Sequence, residues 1–295
     1  MTTRIAPRGD LLNEALVSSA DNDVRYVPSV SSAGGHSAVA HESRYQWVVQ
    51  NFALENLRVL DFGCGSGYGA NLVAQRARSV DAVDYSRTAI EYAKVSFPSP
   101  NLKFLAADAC SRETPELLER QRFDLILSFD VIEHLERYFE YMENIVDLLQ
   151  DDGVLIIGCP NRLQCFEWNR QWNPYHVQEF SPHQFRRILS SIFGSVVLFA
   201  QDFEDPQKRE AARLQNRGTD SPLREVVRQA LPLPALRAAK AIRNFVKSVR
   251  QGNSTAAFQS SDIRFWREPG DQLLRSAFGI VAVCSGATLP RLRTT

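Results

Sequence analysis

The stretch Val59-Leu60-Asp61-Phe62-Gly63-Cys64-Gly65-Ser66-Gly67 decides the fold class of this 295-residue chain. Its apolar first half is typical of a short buried strand, and the residues after it, Tyr68–Arg76, carry apolar side chains at helical spacing. Glycines between a strand and a helix let the backbone turn sharply and let a ligand approach closely. The stretch therefore predicts a strand, a ligand-binding loop and a helix.

The same alternation continues along the chain. Further apolar runs, separated by segments long enough for helices, are Val80–Val83, Phe104–Ala106, Phe123–Ser128, Gly153–Gly158, Ser195–Ala200 and Ser276–Cys284. Strands that alternate with helices predict an α/β fold whose mostly parallel sheet is covered by helices on both faces. We expect seven strands, and a helix over Pro182–Ile192 with Ser181 as its N-cap.

Composition divides the chain into three parts. Residues 1–40 are rich in Ser, Ala, Asp and Gly, which predicts a flexible N-terminal arm. Residues 41–202 together with 263–295 carry the strand and helix alternation and form the predicted α/β domain. Residues 203–262 interrupt that rhythm, and we expect them to form a helical insertion or cap between the last two strands.

Overall composition excludes several classes of protein. The chain has 34 Lys and Arg against 34 Asp and Glu, so its net charge gives no sign of a nucleic-acid partner. No apolar run approaches the ~20 residues of a membrane span, and residues 1–10 lack the apolar core of a signal peptide. Five cysteines without a Cys-x-x-Cys pair argue against a disulfide framework. We expect a cytoplasmic protein, and its oligomeric state stays open.

Acidic residues at the ends of three predicted strands narrow the choice of ligand. Asp61 ends the first strand, Asp84 ends the second and Asp108 follows the third. Asp84 can accept hydrogen bonds from two ribose hydroxyls, and Asp108 from an adenine amine. The segment 65–70 also fits a dinucleotide fingerprint, but Asp61 directly before the glycines would repel a pyrophosphate. The three acids therefore favour a nucleoside cofactor with a cationic group over NAD.

These motifs resemble those of the class I S-adenosylmethionine-dependent methyltransferases, of the type 11 and type 23 kind. The resemblance covers about residues 57–160 and is carried by Val59–Gly67, Val83–Ser86, Ala107–Ala109 and Phe123–His134. It implies a Rossmann-like fold and S-adenosylmethionine as the cofactor. The predicted cofactor-binding residues are Arg44, Asp61, Gly63, Cys64, Gly65, Gly67, Asp84, Tyr85, Ser86, Asp108, Ala109 and Phe129.

Four further stretches are similar to one bacterial subgroup that is often associated with the modification of glycans or glycosylated small molecules. They are Arg25–Pro28, His41–Tyr45, Cys159–Arg162 and Asn173–Phe180. The chain departs from that subgroup at Ala40, where an acid is usual. The similarity implies a small-molecule or glycan substrate and O-methylation of a hydroxyl. N-methylation of an amino sugar or a small amine stays open, as does a non-catalytic scaffold that binds the cofactor.

Two histidines are candidates for a general base, which a hydroxyl acceptor with its high pKa would need. His134 follows the fourth predicted strand, and His176 has Glu179 three residues further on. Each could instead have a structural role. Arg44, on the helix before the first strand, could pair with the carboxylate of the cofactor.

Aromatic residues precede His176. Trp168, Trp172 and Tyr175, with Glu179, are candidates for contacts with a sugar or another ring, and the alternative is that the aromatic side chains belong to the core. Methyl transfer requires no metal, and no spacing of metal-ligating residues is evident. We therefore expect no metal site.

Basic residues concentrate within the predicted insertion. Between Arg224 and Arg250 there are seven Lys or Arg residues and a single acid, Glu225, and Leu236–Arg250 has the pattern of an amphipathic helix. We favour a solvated cap over the active site. Peripheral contact of residues 224–250 with an anionic membrane surface, or binding of a phosphorylated or nucleotide-linked substrate, is also compatible with this pattern.

Overall fold

The computed structural model describes residues 36–167, 176–217 and 259–287. Its strands are Arg58–Phe62 (β1), Ser79–Asp84 (β2), Leu102–Ala106 (β3), Phe123–Phe129 (β4), Leu149–Pro160 (β5), Phe193–Phe203 (β6), Ile263–Arg267 (β7) and Gly279–Ala287 (β8). Its helices are His36–Asn51 (α1), Tyr68–Ala74 (α2), Arg87–Ser96 (α3), Thr114–Leu117 (α4), Tyr138–Leu148 (α5), Arg162–Glu167 (α6), Pro182–Ser190 (α7), Pro206–Arg217 (α8) and Asp271–Ser276 (α9).

The strands form one sheet with the order β3-β2-β1-β4-β5-β8-β6-β7. The first five strands are parallel to one another, and β8 runs antiparallel between β5 and β6. The predicted α/β class with a mostly parallel sheet is therefore confirmed. The carboxyl ends of β1 to β5 consequently lie at one edge of the sheet, which is where ligands bind in open α/β sheets.

The strand count differs from the prediction, because the described residues contain eight strands rather than seven. The additional strand is β7, which pairs with β6 at the edge of the sheet. It lies between the predicted insertion and the strand that we expected to be last in the chain. The insertion therefore joins β6 to this edge strand rather than to β8.

Both faces of the sheet are covered by helices. Because successive strand residues point to opposite faces, Val59 and Leu60 of β1 belong to different apolar clusters. Tyr45 of α1 packs in the cluster that contains Val59. Ile145 of α5 and Phe185 of α7 pack in the cluster that contains Leu60. Burial on both faces holds the sheet between the helices, so that, within the described residues, only its edges, including the one formed by the carboxyl ends of β1 to β5, are available to a ligand.

Local sequence signals decide where α7 begins. The Ser181 hydroxyl accepts a hydrogen bond from the backbone of Gln184, whose side chain bonds in return to the Ser181 backbone, and Pro182 is the first helical residue. The predicted N-cap is therefore confirmed. Such a reciprocal pair satisfies two of the amides that a helix start leaves without partners.

The segments at either side of the predicted domain boundaries contribute to the fold. Helix α1 begins at His36, inside the predicted arm, and Val39 and Ala40 are buried against Phe203 of β6 and Ala212 of α8. Arg209 of α8 forms an ion pair with buried Asp202 at 2.9 Å. The rest of the arm (residues 1–35) and the basic segment 224–250 lie outside the described residues. No helix that the structure describes has the length and apolar composition needed to cross a membrane.

Candidate active site at the carboxyl edge of the sheet

The loop between β1 and α2 owes its shape to three glycines. Gly63, Gly65 and Gly67 have φ angles of +99°, +54° and +83°, a region that favours glycine. A Cβ at Gly63 would lie 2.2 Å from a methyl carbon of Val131, and one at Gly67 would lie 2.7 Å from the Phe104 ring. The turn and the packing behind it therefore both require glycine, independently of any ligand.

Asp84, at the end of β2, holds this loop in place. One carboxylate oxygen accepts a hydrogen bond from the Gly65 amide and the other from the Ser86 amide, each at 2.9 Å. These two hydrogen bonds fix the orientation of the carboxylate at the end of the strand. The Ser86 hydroxyl caps α3 by accepting from the Ala89 amide. Tyr85 is exposed beside it.

Asp61, at the end of β1, is fully buried behind the loop. The Tyr45 hydroxyl donates to its two oxygens at 3.1 and 3.2 Å. Burial raises the pKa of Asp61 to about 7; the Tyr45 hydrogen bond opposes the rise and the nearby Asp84 carboxylate adds to it. A cationic ligand would therefore find a buried carboxyl that is ready to ionise. Cys64, three residues further along the chain, is buried with its Sγ 3.8 Å from the Gly65 carbonyl oxygen.

Asp108 follows β3 and is half-exposed. Its carboxylate accepts from the Cys110 amide at 2.8 Å and from the Arg137 guanidinium at 2.8 Å. The carbonyl of the adjacent Ala109 accepts from the Asn144 side chain at 2.9 Å. Asp61 and Asp84 thus lie at the carboxyl ends of β1 and β2, and Asp108 follows the adjacent β3, as the sequence predicts.

Arg44 has a partner within the protein. Its Nη1 lies 2.5 Å from Oδ2 of Asp130, and its Nε donates to the Gln201 side chain at 2.8 Å. Burial lowers the pKa of Arg44, but the Asp130 carboxylate outweighs this and raises it. The guanidinium carbon lies 5.9 Å from the centre of the Phe129 ring, and Phe129 itself is buried in the core against Tyr45. The predicted pairing of Arg44 with a cofactor carboxylate therefore competes with an ion pair already made.

The two candidate bases come together at this edge although they are far apart in the sequence. The ring centres of His134 and His176 are 4.9 Å apart. Nδ1 of His176 lies 3.2 Å from a carboxylate oxygen of Glu179, which aligns the ring. Burial lowers the pKa of His176, and Glu179 offsets part of that effect. His134 is exposed and ends a 3₁₀ turn that starts at Ile132.

Glu133 is the residue at this site that the sequence reasoning missed. Its side chain is buried next to the two histidines, and neither of its carboxylate oxygens has a hydrogen-bond partner among the described residues. Burial, and then the neighbouring Asp130 carboxylate, raise the pKa of Glu133 well above its usual range. The pair Glu133-His134, a few residues after the end of β4, was a signal in the sequence. The third member of the group, His176, is brought there by the fold and has no fixed spacing from the pair.

Gln178 fixes the two halves of this cluster relative to each other. Its backbone amide donates to the Glu133 carbonyl at 3.2 Å, and its side-chain amide donates to the carbonyls of Ile132 and Leu135 at 3.1 and 2.8 Å. The segment that carries His176 and Glu179 is therefore tied to the turn that carries Glu133 and His134. The predicted ring-binding residues Trp168, Trp172 and Tyr175 lie outside the described residues.

Comparison with known proteins shows that this chain is similar to methyltransferases. Residues 42–192 match a family model described as a methyltransferase domain. A Mycobacterium tuberculosis protein named "Probable S-adenosylmethionine-dependent methyltransferase" is 30% identical over 154 residues, which are 52% of this chain and 54% of that protein. A ubiquinone biosynthesis O-methyltransferase of Rhodopseudomonas palustris is 31% identical over 37% of this chain and 42% of its own length. The chain thus spans about half the length of these curated relatives, or less.

Solved structures agree on the fold. A SAM-dependent methyltransferase from Archaeoglobus fulgidus superposes with a TM-score of 0.50, over 83% of this chain and 92% of that one, at 17% sequence identity. At that identity the likeness concerns the fold alone. The names of the relatives and this fold support S-adenosylmethionine, the cofactor that the sequence predicts.

Proposed function

Because this chain belongs to the family of methyltransferase domains, we propose that it is an S-adenosylmethionine-dependent enzyme that methylates a hydroxyl group on a sugar or a glycosylated small molecule. One observation carries the cofactor half of this proposal. Asp61, Asp84 and Asp108 lie at or just after the carboxyl ends of adjacent parallel strands, around a loop with three left-handed glycines. No phosphate-bearing dinucleotide explains a buried acid directly before that loop.

The residues at the loop suit this cofactor. Asp84 would accept hydrogen bonds from the ribose hydroxyls, Asp108 would accept from the adenine amine, and the loop of Gly63, Gly65 and Gly67 would receive the methionine portion. Asp61, buried and with its pKa near neutrality, would gain stabilisation from a cation placed above it. When bound, S-adenosylmethionine supplies a methyl group whose bond to sulfur breaks with the electron pair left on sulfur.

The acceptor half of the proposal rests on the histidine cluster. A hydroxyl must lose its proton as its oxygen becomes the nucleophile, and histidine is the usual group that assists. His134 and His176 lie side by side, and Glu179 holds the ring of His176 in one orientation. The subgroup similarity of Asn173–Phe180 points to a sugar or glycosylated acceptor, and the name of the Rhodopseudomonas relative is that of an O-methyltransferase.

One observation favours an amine acceptor as the second candidate. Three carboxylates, those of Asp130, Glu133 and Glu179, surround the two histidines closely enough to influence one another's ionisation. Such a concentration of acids would attract an ammonium group. A free amine also needs less assistance from a base than a hydroxyl does.

The cofactor is tested by calorimetry on the purified full chain. We expect S-adenosylhomocysteine to bind and NADH not to bind. Uptake of NADH without uptake of S-adenosylhomocysteine would overturn the proposal.

The acceptor is tested by mass spectrometry of cell-surface glycans and small metabolites, with and without the gene, after feeding with methyl-deuterated methionine. We expect one glycan or glycosylated metabolite to lose a deuterated methyl group when the gene is absent. Fragmentation of that product then distinguishes an O-methyl from an N-methyl group. Full turnover by both His134→Ala and His176→Ala would favour the amine, and cofactor binding without turnover on any acceptor would favour a scaffold.

A further inference from the structure

Glu133, His134 and His176 form a group of potential metal ligands at the carboxyl edge of the sheet. One ligand atom from each residue lies within 4.8 Å of those from the other two. Glu133 is 1% exposed, and both of its carboxylate oxygens lack a hydrogen-bond partner in the part of the chain that the structure describes. Because an unpaired buried carboxylate costs several kcal/mol, Glu133 can carry its charge in this position only with a cation beside it.

We propose that Glu133, His134 and His176 bind one divalent first-row transition-metal ion. Two imidazoles and one carboxylate suit such ions, whereas Mg²⁺ and Ca²⁺ prefer a shell of oxygen ligands. Three protein ligands also leave coordination positions open, which is typical of catalytic rather than structural metal sites. This proposal departs from the sequence-based expectation of no metal site.

Glu179 supports this assignment as a positioning residue. Its carboxylate oxygen lies 3.2 Å from Nδ1 of His176 and accepts a hydrogen bond from the N–H group at that nitrogen. The Nε2 atom is then left with its lone pair available for a metal. A carboxylate behind a ligating histidine is the usual arrangement in metal sites, because it fixes both the tautomer and the orientation of the ring.

The backbone around the ligands is well fixed, and little movement would close the site. Ligand atoms around an ion at ~2.1 Å lie about 3.0–3.4 Å apart, against the present upper limit of 4.8 Å. The exposed imidazole of His134 can rotate to supply the difference, whereas Glu133 is held by its burial. Gln178 keeps the two segments together through three hydrogen bonds to the turn around Glu133.

The role of the ion, though not its binding, rests on the proposed function. An acceptor hydroxyl bound to the metal has a lowered pKa. Its O–H bond breaks with the proton passing to water, the oxygen electron pair forms the new bond to the methyl carbon, and the carbon–sulfur bond breaks with its pair staying on sulfur. In this arrangement His134 and His176 act as ligands rather than as proton acceptors.

Metal binding is tested on the full chain after treatment with EDTA, by calorimetry and visible absorption with Co²⁺ as the probe. We expect one Co²⁺ per chain, with binding much tighter than that of Mg²⁺. Glu133→Gln, His134→Ala and His176→Ala should each weaken Co²⁺ binding at least about 100-fold, and Glu179→Gln about 10-fold with a shifted Co²⁺ spectrum. His183→Ala, which removes an exposed histidine on α7, is the matched control and should bind Co²⁺ like the parent chain.

Several outcomes would overturn the proposal. They are absence of Co²⁺ binding, equal affinity for Mg²⁺ and Co²⁺, and unchanged binding in the folded Glu133→Gln or His134→Ala variants. His134→Ala keeps this test available if Glu133→Gln fails to fold, because His134 is exposed. Binding of S-adenosylhomocysteine is measured separately, so a chain that binds Co²⁺ but not the nucleoside would refute the proposed function and leave the metal site standing.

Discussion

The glycine loop (residues 63–67) and the Glu133 cluster (Glu133, His134 and His176) lie at the same edge of the sheet. They differ in how their buried acidic groups are hydrogen-bonded. In the loop, both oxygens of Asp84 already accept backbone amides. In the cluster, both oxygens of Glu133 are buried without a partner among the described residues. If both regions bind ligands as proposed, the loop is shaped in advance for its ligand, whereas the charge of Glu133 would be balanced only when the ion binds. Substitutions in the two regions should accordingly have different signatures.

The largest effect should follow Gly63→Ala, which tests how completely the loop is fixed. The new Cβ would combine an unfavourable φ of +99° with an overlap on Val131 at 2.2 Å. We expect the free energy of unfolding to fall by about 3–5 kcal/mol, measured by urea denaturation. Val131→Ala in the same protein should recover the part due to overlap, about 1–3 kcal/mol. A double-mutant cycle without such recovery would show that the clash lies elsewhere.

Asp84→Asn should have the next largest effect, on cofactor binding. The new amide group would face a backbone donor instead of accepting from it, and the loop and the ribose would both lose a charged acceptor. We expect binding of S-adenosylhomocysteine to weaken about 100-fold, or about 3 kcal/mol, by calorimetry. Asp108→Asn is the matched comparison, since Asp108 is half-exposed, and should cost less than 10-fold. Equal losses of affinity in the two variants would mean that the burial of Asp84 does not make its contribution to binding larger than that of Asp108.

The pH dependence of binding should reveal Asp61. Its pKa of about 7 in the free protein means that the carboxyl is protonated below neutral pH. A cationic ligand favours the ionised form, so affinity for S-adenosylmethionine should rise about 10-fold between pH 6 and pH 8. Asp61→Asn should lose this rise, and comparison at each pH cancels the titration of the ligand itself. An identical pH profile in both proteins would show that the ionisation of Asp61 does not cause the rise in affinity.

The smallest effect should be that of Glu133→Gln on stability. This substitution tests most directly the difference between the glycine loop and the Glu133 cluster. Gln has the shape of Glu without the charge, and the carboxylate makes no hydrogen bond within the described residues that the change would remove. With EDTA present, we expect the free energy of unfolding to stay equal or to rise by up to about 1 kcal/mol. A loss greater than 1 kcal/mol in urea denaturation would indicate that Glu133 has a structural partner.

Much of the fold was predictable because its parallel half is built from local signals. The strand before the glycines, the acids after it and the Ser181 cap are each encoded within a few residues. Strand β7 was missed because it is a five-residue edge strand with partly exposed side chains, Ile263–Arg267. Its place depends on pairing with β6, which no local pattern of the sequence records.

The positions of the three strand-end acids were predictable from the sequence, whereas the surroundings of Arg44 and Glu133 were not. The acids Asp61, Asp84 and Asp108 follow from strand ends, and parallel strands bring such ends together. The Arg44–Asp130 ion pair and the residues that surround Glu133 result from packing between segments that are distant in the sequence. Gln201 of β6, which holds α1 by donating to the Ala40 carbonyl at 2.7 Å, gave no sequence signal either.

The antiparallel strand β8 has a consequence for how the chain is made. It pairs with β5 on one side and β6 on the other, so Val283 lies opposite both Ile156 and Val197. During synthesis, residues 161–278 are added after β5 and residues 204–278 after β6 before β8 can close the open edges of these two strands. Such non-local pairing slows folding. Until it forms, the unpaired edges of β5 and β6 can pair with strands of other chains and cause aggregation. A nascent chain stalled before residue 279 should therefore depend on chaperones far more than the completed protein.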